Sequence, residues 1–299
     1  MNPERLAELV DVEQEPRQLG EGYWFTEGPA WNHRDQFLMF SDIPADTRYR
    51  WSEADGVSVA MKPNFKGNGM VFEPDGSYLV CEQVSSVVRR FRPDGSSEVV
   101  AFHYQGKYLN SPNDIVTHSD GSIYFTDPNY GRWKGDFGCG REPELDFQGV
   151  FRVPPGGGDC ELVVPKGEFD QPNGLCFSPD ESLLYVNDSP PGDVKVFPVN
   201  ADGSLGEGRL FFGGIGKGDI GEGTPDGMKC DELGNLWCTG PKGVWVIDTE
   251  GELLGIVPTP EVVGNIVWGG EDLRTLLMTT SSLLLSVRTK VAAGALPYH

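Results

Sequence analysis

Six polar residues recur at one point of a repeated pattern in this 299-residue chain. Each stands directly ahead of an apolar segment, 14 or 15 residues before the second apolar run of the same repeat ends. The six residues are Glu27, Asn68, Asn113, Asn173, Asp226 and Asn265. Because equivalent positions of a repeated fold lie on one face, we expect these side chains to meet around a common axis. Two carboxylates and four carboxamides would then face one another.

A ring of oxygen donors of this kind favours a hard divalent cation. We therefore predict one bound divalent metal ion, with Ca²⁺ first and Zn²⁺, Mn²⁺, Mg²⁺ or Fe²⁺ as alternatives. Asparagine also suits the turn ahead of a strand, and this explanation stays open for Asn68 and Asn265. It does not suit Glu27, because glutamate is not a turn-forming residue.

The repeat that carries these residues consists of a strand, a turn with Asp or Gly, and a second strand rich in apolar residues. Its six copies occupy residues 30–42, 71–82, 116–127, 176–188, 229–240 and 267–280. The second strands alternate or run apolar over about five residues, which is a strand period. A third strand follows most copies, and a fourth follows several. The sequence therefore predicts an all-β fold, a six-bladed β-propeller of four-stranded antiparallel blades.

The two ends of the chain predict how the ring closes. The sixth copy reaches the C-terminus before its blade is complete, while residues 13–20 precede the first copy. We expect this N-terminal segment to supply the outer strand of the last blade and close the ring. A single domain over residues 1–299 and no long amphipathic helix are expected.

The composition limits the classes of partner. The 24 basic and 45 acidic side chains give a formal net charge of −21, which repels nucleic acid and anionic membranes. No segment approaches the roughly 20 apolar residues of a membrane span, and residues 1–16 lack the basic and apolar parts of a signal peptide. Six cysteines without a CxxC pair favour free thiols in the cytoplasm. We expect a small-molecule substrate and a monomer or weak homo-oligomer.

Several segments resemble a known family. They read TEGPAW at 26–31, SPNDIV at 111–116, YFTDPNYG at 124–131, QPNGLCFSPD at 171–180 and TPDGMKCDELGNLW at 224–237. In this order they are similar to the gluconolactonase, senescence marker protein and luciferin-regenerating enzyme family, over essentially the whole chain. That family is a six-bladed propeller with one catalytic divalent metal ion. The resemblance therefore implies a metal-dependent lactonase.

The resemblance also implies roles for individual residues. Glu27, Asn173 and Asp226 would bind the metal ion, and Asn113 would complete its ligands or hold the substrate. Asp226 matches the general base of the family, and we predict that it acts together with Glu27 in catalysis. Ser111 falls where some relatives contact their substrate.

Further residues are predicted to surround the substrate. Asn68, Asn113 and Asn265 are expected to hydrogen-bond the lactone. Asp127 either lies beside the site or is the strand-ending aspartate that copies 1 and 4 also carry. The aromatic loop 128–147 is expected to form a lid or wall of the site.

One departure from the family leaves the substrate open. Bacterial sugar lactonases of this family often carry a histidine and paired arginines around the turn of the second blade. Here residues 82–87 read EQVSSV, and the arginines stand at 89 and 90. Two other functions also remain: a phosphotriesterase on the same metal site, and a non-enzymatic binding propeller with a structural ion. An ion with only three or four protein ligands keeps open positions, which favours an enzyme.

Overall fold

The computed structural model describes residues 1–218 and 221–294. These residues form one short helix, α1 (Pro3–Leu9), one 3₁₀ turn (Tyr130–Arg132) and 26 strands. In this described part of the chain, the strands group into six four-stranded antiparallel sheets and one two-stranded hairpin.

The N-terminal half of the chain contains the first strand, three blades and the hairpin. Strand β1 is Arg17–Glu21. Blade 1 consists of β2 (Thr26–Asn32), β3 (Phe37–Asp42), β4 (Thr47–Ser52) and β5 (Gly56–Met61). Blade 2 consists of β6 (Gly67–Phe72), β7 (Tyr78–Glu82), β8 (Val87–Phe91) and β9 (Ser97–Ala101). The hairpin is β10 (His103–Tyr104) and β11 (Lys107–Tyr108). Blade 3 consists of β12 (Ile115–Thr117), β13 (Ile123–Asp127), β14 (Gly149–Val153) and β15 (Glu161–Leu162).

The C-terminal half contains the other three blades. Blade 4 consists of β16 (Pro172–Phe177), β17 (Leu183–Asp188), β18 (Asp193–Pro198) and β19 (Arg209–Phe212). Blade 5 consists of β20 (Met228–Cys230), β21 (Leu236–Gly240), β22 (Gly243–Ile247) and β23 (Leu253–Pro258). Blade 6 consists of β24 (Val263–Gly269), β25 (Thr275–Thr280) and β26 (Leu283–Arg288), completed by β1.

The first strand of every blade lies on the inside of a closed ring. Strand β2 contacts β6, and contacts continue through β12, β16, β20 and β24 until β24 meets β2 again. Six inner strands therefore surround one central channel. The predicted six-bladed propeller is confirmed.

The N-terminal strand closes this ring, as the sequence predicted. Strand β1 pairs antiparallel with β26, so that Arg17 lies opposite Ser286 and Glu21 opposite Leu283. The strand occupies residues 17–21 rather than 13–20. The short helix α1 was not predicted, and it packs its two buried leucines against the apolar core of blades 5 and 6.

Short turns with a recurrent sequence join the first two strands of a blade. In blade 2, Gly76 has φ +88°, and Asp75 Oδ1 accepts a hydrogen bond of 2.8 Å from Ser77 N. In blade 3, Asp120 Oδ1 accepts the equivalent bond of 2.7 Å from Ser122 N. Aspartate and glycine serve such turns because one bonds the backbone locally and the other tolerates positive φ. The recurrent Asp-Gly-Ser letters thus encode the turns.

The ring residues occupy a different place in the strands from the one expected. The sequence placed them ahead of the inner strands, but in blades 1, 2, 4 and 6 they lie within the strand. In each of these four blades the antiparallel register shifts at or beside the ring residue. A β-bulge interrupts the alternation of side chains and turns one of them to a new direction. This irregularity lets Glu27, Asn68 and Asn173 reach the same cavity.

Two further expectations concern the compartment. All six cysteines are free, and five of them are buried. The described residues include no helix that is long and apolar enough to cross a membrane. The cytoplasmic location and the oligomeric state stay predictions.

Candidate active site

A cavity of about 230 Å³ lies at the end of the channel where the inner strands begin. Five of the six ring residues line it: Glu27, Asn68, Asn113, Asn173 and Asp226. The other lining residues are Phe25, Ile43, Gln83, Tyr130, Trp133, Phe137 and Thr224. The structure therefore combines a polar floor with a largely aromatic wall.

Glycines next to the ring residues allow the blades to approach the axis closely. A Cβ atom on Gly28 would lie 1.8 Å from the carbonyl oxygen of Asn68 in the next blade. A Cβ atom on Gly174 would lie 2.0 Å from the carbonyl oxygen of Asp226. Any larger residue would push the neighbouring ring residue away from the axis. The Glu-Gly and Asn-Gly pairs in the sequence thus result from close packing of backbones.

Polar residues of the second strands hold the ring from outside. Thr126 Oγ1 in blade 3 donates a hydrogen bond of 2.7 Å to the carbonyl oxygen of Asn173 in blade 4. Asn187 Nδ2 in blade 4 donates likewise to the carbonyl oxygen of Asp226 in blade 5. Blades 3 and 4 therefore each fix the backbone of the ring residue that follows.

The two ring carboxylates repel each other, and Glu27 is buried while Asp226 is partly buried. Glu27 is 2% exposed, and burial raises its pKa to about 7 although Gly28 N donates a hydrogen bond to it. Burial also raises the pKa of Asp226 well above its ordinary value, and the negative charge of Glu27 adds to this. Among the described lining residues there is no lysine or arginine that would neutralise the pair.

The neighbouring amide oxygens fit a bound cation. Asn68 Oδ1 and Asn173 Oδ1 are buried and have no hydrogen-bond partner within the described parts of the chain. The amide nitrogen of Asn173 donates to Ser189 Oγ at 3.1 Å, which orients the amide group. Two carboxylates beside unpaired amide oxygens are the donor set that hard divalent cations prefer. Across residues 1–218 and 221–294, no three or more His, Cys, Asp or Glu side chains gather as a metal site, so an ion here would depend on the asparagines.

Asn265 belongs to the ring in sequence but not to the cavity wall described here. Its Oδ1 accepts a hydrogen bond of 2.8 Å from Ile266 N. Its side chain also hydrogen-bonds the carboxylate of Glu27. The contacts of Asn265 therefore position Glu27.

The structure places Ser111 behind the cavity wall. Its side chain is fully buried, and Oγ donates to the carbonyl oxygen of Pro128 at 2.6 Å. The same oxygen accepts a hydrogen bond of 3.0 Å from Gly131 N. The hydroxyl group of Ser111 thus fastens the start of loop 128–147.

Asp127 performs the structural role of a strand-ending aspartate. Like its counterparts in blades 1 and 4, it accepts backbone hydrogen bonds from the segment that leads to the ring residue. The bonds are Trp24 N to Asp42 at 3.0 Å, Asn110 N to Asp127 at 2.8 Å, and Asp170 N to Asp188 at 2.9 Å. Of the two interpretations that the sequence left open for Asp127, the contacts support this one.

Loop 128–147 lies where the sequence indicated a wall. Tyr130, Trp133 and Phe137 line the cavity. The ring of Phe137 packs edge-on against that of Phe25, with 5.3 Å between centroids. Tyr130 and Trp133 form a second edge-on pair at 5.1 Å. These pairs give the cavity a firm apolar side opposite its polar floor.

Sequence reasoning missed two cavity residues that the repeat itself could have indicated. Ile43 and Gln83 directly follow Asp42 and Glu82, the last residues of the second strands of blades 1 and 2. Both line the cavity. The position after a second strand is therefore a second source of site residues, besides the ring.

Asp114 is a third carboxylate beside the ring, and the sequence analysis did not single it out. It follows Asn113, at the position where blades 1, 2, 4 and 5 have glycine. Its side chain is 3% exposed, and no described residue hydrogen-bonds its Oδ2. Its charge contributes to the raised pKa values of Glu27 and Asp226. Asp114 replaces the glycine that those four blades repeat, and this exception is the signal by which the sequence could have identified it.

Comparisons with known proteins identify the family. The family model described as SMP-30/Gluconolactonase/LRE-like region matches residues 25–282. The chain belongs to this family. The resemblance drawn from the sequence segments is thereby confirmed.

Members of the SMP-30/gluconolactonase family resemble the chain over nearly its whole length. The gluconolactonase of Zymomonas mobilis is 32% identical over 306 residues, which cover 96% of this chain and 84% of that protein. The 6-deoxy-6-sulfogluconolactonase of Pseudomonas putida is 30% identical, with coverages of 91% and 87%. The solved structure of a gluconolactonase from Xanthomonas campestris has a TM-score of 0.84 at 32% identity, with coverages of 95% and 92%.

Proposed function

We propose that this protein is a metal-dependent lactonase that hydrolyses a small uncharged lactone in the cavity at the channel mouth. The observation that carries the proposal is the pair of carboxylates, buried Glu27 and partly buried Asp226, on the floor of that cavity. The relatives named as gluconolactonases support lactones as the substrate class.

The proposed cation is bound by Glu27, Asn173 and Asp226, with Asn113 as a further ligand. Their carboxylate and amide oxygens favour Ca²⁺ over softer ions. When bound, a divalent cation polarises the carbonyl group of the lactone and stabilises negative charge on its oxygen.

The side chains of the ring transfer the proton, position Glu27 and bind the substrate. Asp226 accepts a proton from the attacking water as the water oxygen bonds to the carbonyl carbon. The bond between the carbonyl carbon and the ring oxygen then breaks, and the proton passes to that ring oxygen, which gives an open-chain hydroxy acid. The backbone N–H of Gly28 and the amide of Asn265 keep the carboxylate of Glu27 in place. Asn68 and Asn113 line the cavity and are placed to hydrogen-bond the substrate.

The charge of the cavity supports an uncharged substrate. Its described lining contains two carboxylates and no cationic side chain. Arg48, near the start of β4, is fully buried and donates to Asn64 Oδ1 at 2.6 Å. An anionic group on the lactone would therefore find no described partner in the wall.

The test measures acid release from a panel of lactones by protein that has been stripped with chelator. Ca²⁺, Mg²⁺, Mn²⁺, Zn²⁺ and Fe²⁺ are added back singly. We expect metal-dependent hydrolysis of uncharged lactones, slower hydrolysis of 6-phosphogluconolactone, and loss of turnover by about 10³-fold or more in Asp226→Ala, because a positioned base contributes on this scale.

Asp94→Ala is the matched control, because Asp94 lies in an exposed turn of blade 2. It should retain the activity of the unaltered protein. Near-normal turnover in Asp226→Ala would defeat the assignment of the base. Turnover of a phosphotriester, with no lactone hydrolysis in folded and metal-loaded protein, would defeat the lactonase proposal.

A further inference from the structure

Two aromatic side chains of loop 128–147 lie at the opening of the cavity. Trp133 and Phe137 both line it, yet Trp133 is 55% and Phe137 44% exposed. A side chain that lines a cavity and also faces solvent stands where the cavity opens. The mouth of the cavity is therefore bordered by apolar surface in contact with water.

Neighbouring segments bring further exposed aromatic side chains to this region. Trp24, which is 66% exposed, directly precedes Phe25 of the cavity wall. Phe65 is 41% exposed, and its carbonyl oxygen accepts a hydrogen bond of 3.3 Å from Val84 N, next to Gln83 of the wall. Six Phe, Tyr and Trp side chains are exposed in the described residues, and four of them thus belong to segments around this opening. Such a concentration of exposed apolar surface is typical of a binding site.

The loop that carries Trp133 and Phe137 is fastened on both sides of the cavity. Lys66 Nζ donates hydrogen bonds of 2.8 Å to the carbonyl oxygens of Asp136 in the loop and of Pro44 after β3. Within the loop, Cys139 N donates to the carbonyl oxygen of Gly131 at 3.0 Å. The aromatic side chains between these anchors are therefore held at the mouth, and a ligand that covers them loses little affinity to the ordering of the loop.

The polar floor and the aromatic mouth suit different parts of a ligand. The carboxylates and amides on the floor face the proposed position of the lactone group. A substituent that points out of the cavity then passes Trp133 and Phe137. Covering their rings with an apolar group removes hydrocarbon surface of both partners from water, which is favourable in proportion to the area.

We propose that the mouth of the cavity is a subsite for an apolar substituent of the substrate. The preferred substrate is then an uncharged lactone with an alkyl or aryl side chain. Its lactone group lies on the polar floor, and its side chain packs against Trp133 and Phe137. This inference rests on the proposed function, which places the lactone group but does not say what that group carries.

The test uses two lactams, which have the shape of lactones but resist hydrolysis. Binding of δ-valerolactam and of 6-pentyl-δ-valerolactam is measured by calorimetry on calcium-loaded protein. The pentyl lactam should bind about tenfold to a hundredfold more tightly, because about half of the pentyl surface would be removed from water.

Variants locate this preference at the mouth. Trp133→Ser and Phe137→Ser should each weaken binding of the pentyl lactam by about threefold to tenfold and leave δ-valerolactam within about twofold. Trp133→Phe keeps an aromatic ring and should retain most of the preference. Leu210→Ser is the matched control, because Leu210 lies on β19 outside the cavity wall and is 58% exposed; it should change neither affinity. Thermal melting checks that all variants are folded.

The contrary outcomes are distinct. Equal affinity for the two lactams, or a pentyl preference that persists in both serine variants, would overturn the inference. Tighter binding of gluconolactam than of the pentyl lactam would overturn it too, since the aromatic mouth would then serve a sugar ring. Sedimentation at the assay concentration adds a third check: a dimer that dissociates in Trp133→Ser would show that a second copy covers the mouth.

Lactone turnover, measured in parallel, separates this inference from the proposed function. A pentyl preference in protein that hydrolyses no lactone would defeat the proposed function alone, because lactam binding needs no turnover. Lactone hydrolysis without a pentyl preference would overturn the inference alone.

Discussion

The two ends of the central channel are built from the same six inner strands and differ in character. At the end where the strands begin, a cavity of about 230 Å³ has two carboxylates and unpaired amide oxygens on its floor. At the end where they finish, a cavity of about 110 Å³ is lined mainly by apolar side chains, including Trp31, Phe72, Ile115, Phe177 and Trp268.

A short stretch of strand separates these two environments. Four residues after Glu27, Asn68 and Asn173 come Trp31, Phe72 and Phe177, which corresponds to about 13 Å along a strand. Apolar packing at one end stabilises the strands, while the other end concentrates like charges and unpaired acceptors at a cost in stability. We therefore expect the packed end to supply the rigidity with which the polar end holds its groups.

The largest effect is expected in the backbone packing of the ring, on which both the stability of the fold and the position of the catalytic groups depend. Gly174→Ala would place a Cβ atom 2.0 Å from the carbonyl oxygen of Asp226 and displace that residue. We expect a loss of about 1–3 kcal/mol in the free energy of unfolding, and a fall in turnover of about a hundredfold from misplacement of the base. Urea unfolding and lactone kinetics measure the two quantities.

Gly206→Ala provides the control for this substitution. Its new Cβ would lie no closer than 3.4 Å to Pro198, so stability and turnover should hardly change. Full activity in Gly174→Ala would show that the close approach of the blades is not needed for the site.

The second prediction concerns the strand-ending aspartate below the polar end. Burial raises the pKa of Asp127 from an ordinary 3.8 to about 7, against the opposing effect of hydrogen bonds from residues 110 and 111. The folded protein thus holds a proton that the unfolded chain releases. The stability contributed by this group is present below about pH 4 and is lost as the pH rises to about 7.

Asp127→Asn should remove this pH dependence. We expect the free energy of unfolding of the unaltered protein, relative to the variant, to fall by about 2–4 kcal/mol between pH 4 and pH 7. Unfolding titrations at several pH values measure the difference, with Asp94→Asn as a control of equal charge change. A constant difference between the unaltered protein and Asp127→Asn would show that Asp127 does not hold a proton in the folded state.

The smallest effects are expected from substituting two phenylalanines, one at each end of the central channel. Phe72→Leu removes part of a buried ring from the apolar end and should cost about 1–2 kcal/mol of stability, with catalytic constants unchanged within about twofold. Phe25→Leu alters the wall of the polar cavity and should raise KM with a smaller cost in stability. Thermal melting and steady-state kinetics compare the two variants. A raised KM in Phe72→Leu would contradict the separation of stability and substrate binding between the two ends of the channel.

The repeat explains how much of the molecule could be predicted. Asp-Gly turns and alternating apolar residues define hairpins locally, so six copies of them predict six blades. The position shared by Glu27, Asn113 and Asp226 in the repeats predicts that they converge. Helix α1 escaped prediction because its seven residues are stabilised by contacts of Leu6 and Leu9 with blades 5 and 6, which lie far along the chain.

The sequence by itself determined the family, the number of blades, the closing N-terminal strand and the oxygen donors that the ring offers. Only the tertiary structure decided which polar residues face the cavity: it turned Asn265 onto Ile266 N and Glu27, buried Ser111 against loop 128–147, and brought Gln83 to the wall. The physical reason is that repeat chemistry is local, whereas the direction of a side chain at the axis depends on bulges, loops and close contacts between blades that are distant in sequence.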